Sequence, residues 1–75
     1  MNKTLYKALT SYFNGHIDKH IANIKMHSDN PSGVAEHSDH IETIEKELDI
    51  VAGFEDKLNV LKKYFGDENK EVING

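Results

Sequence analysis

Leu5, Leu9, Phe13, Ile17, Ile21 and Ile24 recur along the first third of the chain at steps of four and then three. That spacing keeps them on one face of a helix and predicts a helix over about residues 3–27. A second set, Ile41, Ile44, Leu48, Val51, Phe54, Leu58, Leu61 and Phe65, follows at alternating steps of three and four. It predicts a second helix over about residues 39–65, packed along its length against a neighbour. Between them stands Ser28-Asp29-Asn30-Pro31-Ser32-Gly33. Proline disfavours helical geometry at Asn30 and glycine favours a turn, so a loop is expected over about residues 28–38. Asp39, with Glu42 three residues later, suits an N-cap and capping box for the second helix. Lys62 and Lys63 complement the dipole of its last turn, and Gly66 is placed as a C-terminal cap. The polar tail over about residues 66–75 is expected to fray.

A short connection makes the two helices antiparallel neighbours. Ile24 then falls beside Ile41 and Ile44, Ile17 beside Leu48 and Val51, and Leu5 beside Leu61 and Phe65. Gly15 would face Ala52 and Gly53. Two readings stand side by side there: the small residues let the backbones approach closely, or they only weaken each helix by about 1 kcal/mol relative to alanine. Tyr6, Tyr12, Ile50, Phe54, Leu61 and Tyr64 widen the apolar stripes beyond what one partner helix covers, and such a surplus marks an interface. A chain of 75 residues without cysteine is also near the size where one core is barely sufficient. The expected fold is therefore a single all-α domain, an antiparallel two-helix hairpin that self-associates into a helical bundle of two or more copies. Phe13, Phe54, Leu61, Tyr64 and Phe65 are its expected interface residues.

Charge changes the picture in one respect. Residues 1–27 carry four lysines against Asp18 alone, a balance of +3, whereas the remainder stands at −7 and the whole chain at −4. Arginine is absent. A duplex-binding surface ordinarily presents a dense basic face with arginines to fork phosphates and guanines, so the composition argues against nucleic acid as a partner. No apolar run resembles a signal peptide or suffices to span a bilayer, which points to a soluble protein of the cytoplasm.

Five histidines are unusual in so short a chain. His16 and His20 lie four apart on one helical face, His27 two turns further on the same side, and His37 and His40 open the second helix. Paired histidines at this spacing can hold zinc or a similar ion, which makes His16, His20, His27 and His37 candidate ligands, although no specific metal signature is present and no cofactor is expected. The alternative is a set of surface or interface imidazoles that hydrogen-bond and titrate near neutrality.

Asn30, Gly33 and His37, at the start of the second helix, could present backbone N–H groups and a ring donor to an anion; the competing reading is a turn that simply reverses the chain. Lys3, Tyr6, Lys7 and Tyr12 could stack a base and hold a phosphate between subunits, against a plain packing role for the aromatics. No Ser-His-Asp order and no phosphate-cradling glycine loop is present, and a hairpin has little concavity of its own, so no enzyme activity is expected.

The run Asn30-Pro31-x-Gly33-Val34-Ala35-Glu36-His37-Ser38-Asp39 resembles a family of small proteins of tailed bacteriophages, especially T4-like phages of marine bacteria. The likeness is accompanied by His16-Ile17, Ala22-Asn23-Ile24, Glu47-Leu48, Ala52 and Glu55-Asp56-Lys57-Leu58, and it covers about two-thirds of the chain. The family pattern often has Gly where Ala35 stands and Pro where Ser38 stands, and His40 is peculiar to this chain. The resemblance implies a phage protein in the cytoplasm of a bacterial host, with no activity attached. The expected function is a non-enzymatic homo-oligomer that takes up a small anionic or nucleotide signal between its subunits. The alternatives are a scaffold module binding a host or virion protein, and a histidine metal-binding protein.

Overall fold

A computed structural model describes residues 1–29 and 37–69, with the backbone alone for His37 and Ser38. Two helices, α1 (Lys3–Asp29) and α2 (His37–Phe65), run antiparallel, and a short 3-10 turn (Asp67–Asn69) follows. The molecule is a rod of 48 × 19 × 16 Å. Among the described residues there is no strand. No described helix is long and apolar enough to cross a membrane.

Local chemistry explains the ends of the helices. Asn2 caps α1: its Oδ1 accepts from the backbone N–H of Thr4 at 2.7 Å and of Leu5 at 3.1 Å, while its carbonyl accepts the first helical bond from Tyr6. α2 is already helical at His37, which puts Asp39 inside the first turn, where its charge meets the helix dipole, rather than at the cap.

At the far end, Gly66 N–H donates to the Lys62 carbonyl at 2.8 Å, without a left-handed backbone. A Cβ at position 66 would collide with that carbonyl oxygen, so glycine is needed for the close approach. The expected fraying does not begin at Gly66. Asn69 is fully buried, its Nδ2 donates to the Phe65 carbonyl at 2.9 Å, and the Met1 ammonium reaches Glu68 at 3.0 Å. Residues 70–75 lie outside the described residues.

The seam between the helices follows a heptad. On α1, Tyr6, Phe13, His20 and His27 are each seven residues apart; on α2, so are His40, Glu47, Phe54 and Leu61. The two series meet in reverse order. Phe13 packs on Phe54 with ring centroids 6.1 Å apart, His20 hydrogen-bonds Glu47, and His27 meets His40 at 5.8 Å. The same register sets Tyr6 opposite Leu61, and both are buried. Between these layers Ile17, Val51 and Leu58 form the core, with Phe13, Ile21, Ile24 and Phe54 packed against it.

Ile17 packs with Val51 as expected, but the face that α2 turns inward differs from the expected one. Ile41 is 75% exposed and Leu48 53% exposed, because His40 and Glu47 occupy the seam positions beside them. Gly15 and Gly53 likewise lie on exposed surface, with nothing within 4 Å of a Cβ at either place, so no close backbone approach occurs there.

Candidate functional site

The middle of the hairpin gathers five rings, Tyr12, Phe13, His16, His20 and Phe54. The His16 imidazole lies flat on Phe54, with centroids 4.5 Å apart and planes at 12°, and stacks on His20 at 6.1 Å. Tyr12 stands edge-on to His16 at 4.5 Å and to Phe54 at 6.5 Å. The spacing explains the cluster: Tyr12, His16 and His20 are each one helical turn apart, and Phe54 sits opposite them in the seam. Lys57, one turn beyond Phe54 on α2, places its Nζ 4.8 Å from the Phe54 ring centroid.

Two open concavities adjoin this cluster. One, of about 290 Å³, is lined by Ser11, Tyr12, Gly15, His16 and Lys19. The missing side chain of Gly15 leaves its floor open, the Tyr12 ring is 58% exposed, and Lys19 supplies a cation at its edge. The other, also about 290 Å³, runs over Leu9, Phe13, Val60, Leu61 and Phe65 with Asp56 and Lys57 at the rim.

Towards the loop the chemistry turns polar. His20 Nδ1 donates to Glu47 Oε2, and Asn23 Nδ2 donates to Glu47 Oε1 at 3.2 Å. Both carboxylate oxygens are thus engaged in a half-buried setting. The His20 hydrogen bond holds the Glu47 carboxyl below its ordinary value; burial opposes this, while Asn23 and the charges of His20 and His27 assist it. The Nδ1 atoms of His16 and His27 are buried without a hydrogen-bond partner.

The expected site residues separate accordingly. Tyr12 is available to a ligand. Tyr6 is buried inside the hairpin, so it is not free to stack a base, because its heptad position turns it onto the seam. Leu61 is buried within one hairpin as well and adds nothing to the expected surplus. Phe13 and Phe54 are half-buried in the ring cluster; Tyr64 and Phe65 remain on the surface. Lys3 and Lys7 are exposed on the first two turns of α1.

Asn30 and Gly33 lie outside the described residues, as does the His37 side chain. His16 and His20 adjoin each other, whereas His27 pairs with His40 two turns away, and no group of three or more metal-ligating side chains occurs among the described residues. Sequence reasoning missed Glu47, Asn23 and Lys57. The signal for Glu47 was available: it stands seven residues from both His40 and Phe54.

Comparison with protein-family models, with curated proteins and with solved structures finds no match to this chain.

Proposed function

We propose that this chain is a non-enzymatic binding protein that self-associates through its exposed apolar side chains and takes up a small anionic ligand with an aromatic ring, a nucleotide being the chemical class that fits. One observation carries the reading: the exposed Tyr12 ring over an open concavity that also offers His16, Ser11 and Lys19. A π-face, a hydroxyl and a lysine cation within one groove suit a base and a phosphate together. The groove is shallow, and a ligand held there would keep much of its surface in water unless a second copy covered it.

Self-association draws support from the size of the core. Among the described residues, five buried apolar side chains hold the hairpin, while nine large ones, among them Leu5, Met26, Ile41, Leu48 and Tyr64, stand on its surface. For 75 residues that is a small core beside a large apolar surface. A phage origin, implied by the loop motif, gives such binding a purpose: stoichiometric removal of a host nucleotide signal.

Light scattering at micromolar concentration and isothermal titration against a panel of cyclic and linear nucleotides test the two parts. We expect a discrete assembly of two or more copies, and heat from at least one nucleotide that Tyr12→Ala abolishes. A monomer would overturn the self-association. Absence of heat across the panel would overturn the ligand class. The alternative, a scaffold module, rests on exposed Ile41 and Leu48 and predicts instead a stoichiometric protein partner whose capture Leu48→Asp prevents.

A further inference from the structure

Beside the seam on α1 runs a second heptad series, Leu5, Tyr12, Lys19 and Met26, each one residue before a seam position. On α2 the series three residues beyond each seam position is Thr43, Ile50, Lys57 and Tyr64. Leu9 and Lys57 line one concavity, and Tyr12 follows Leu9 at a helical step of three, so both series border one flank of the hairpin. Tyr12 and the Lys57 Nζ meet the same Phe54 ring, at 6.5 and 4.8 Å from its centroid. The two series hold five of the nine large apolar side chains exposed among the described residues. Val60 and Phe65 line the concavity at Lys57, which leaves only Ile41 and Leu48 elsewhere. This is the flank whose apolar area most needs cover.

Its charges are of one sign. The chain has 13 acids and a net charge of −4, yet no acid stands in either series or at Leu9, His16 and Asn23, between the first series and the seam. Lys19 and Lys57 are the formal charges of the two series, and of the residues lining the two concavities only Asp56, at the rim of the second, is acidic. Two copies that met through this flank would bury its apolar side chains but would bring four lysines together, which opposes the contact. An anion held between the copies offsets that opposition.

We infer that a second copy docks on this flank and that an anion bound at Lys19 and Lys57 strengthens the pair, so that ligand uptake and assembly are one coupled equilibrium. The inference rests on the binding reading above and adds its regulation. The apolar area supplies association without ligand, and the anion tightens it. By reciprocity, the assembled protein holds the anion more tightly than a single hairpin does.

The test is sedimentation velocity on the full chain in low-salt buffer, where surface charges are least screened. The dissociation constant of the assembly is measured with and without AMP or inorganic pyrophosphate, ionic strength being matched with sodium chloride. We expect at least one of the two probes to tighten assembly by about tenfold. Lys19→Gln/Lys57→Gln should assemble more tightly than the unaltered protein without a probe and should lose the response to it. Both lysines are exposed, so the core is untouched. Lys7→Gln/Lys25→Gln, which removes the same charge from exposed positions outside the two series, should behave as the unaltered protein. Indifference to both probes, or equal behaviour of the two double variants, would overturn the inference. Heat on nucleotide titration without tighter assembly would overturn it and leave the ligand reading in place; no heat from any nucleotide would overturn both.

Discussion

The two halves of the rod are built on one heptad but from opposite materials. Remote from the loop, the seam layers are Tyr6 opposite Leu61 and Phe13 on Phe54, with Leu58 buried between them. Near the loop they are His20 with Glu47 and His27 with His40. An apolar layer contributes by burial, about 1.5–3 kcal/mol per side chain. A polar layer contributes a net of about 1 kcal/mol per hydrogen bond and turns strongly unfavourable when one partner is removed.

The difference separates stability from register. Sliding α2 by one heptad would keep most of the apolar stripe matched but would set Glu47 opposite Phe13 or His27 in place of His20. The remote half holds the hairpin together, and the polar half decides which residues meet.

The largest expected effect tests the apolar half. Leu58→Ala should destabilise the protein by about 2–5 kcal/mol through lost burial and the cavity left behind, enough to leave a small domain largely unfolded in a urea titration. Leu48→Ala, in the exposed position one residue beyond Glu47, should change the stability of the hairpin itself by less than about 1 kcal/mol. Equal losses from the two would mean that the register described above is wrong.

Next comes the polar half. Glu47→Ala should cost about 1–3 kcal/mol near neutral pH, since it strands His20 and Asn23 in a half-buried seam. The pH dependence has a definite sign. The Glu47 carboxyl is lowered in the folded protein, so its contribution is complete above its ordinary value of 4.5 and disappears as the pH falls through the folded value. Thermal melts of the unaltered protein and the variant should therefore converge in acid. A gap that persists there would assign the Glu47 contribution to packing instead of charge.

The smallest effect checks the remaining reading of the glycines, that they only weaken the helices. Gly53→Ala should stabilise the protein by up to about 1 kcal/mol, because the position is helical, exposed and open around a Cβ. A loss of stability would show that something packs on that surface, and in an assembly the candidate is a second copy.

The sequence alone determined the two helices and most of the core. Ile17, Val51 and Leu58 are apolar at helical spacing, and burial needs nothing more specific than that. What it could not decide was which of two adjacent residues turns inward. Ile41 and Leu48 outrank His40 and Glu47 in hydrophobicity, and a one-residue rotation of the stripe costs little within an isolated helix. Pairing settled it: Glu47 is acceptable in the seam because His20 and Asn23 meet both its oxygens, and those partners lie 27 and 24 residues away in the chain. The candidate groove has the same origin. Tyr12, His16 and Lys19 share a face by spacing alone, but the ring that backs them, Phe54, comes from the other helix and enters only when the hairpin closes.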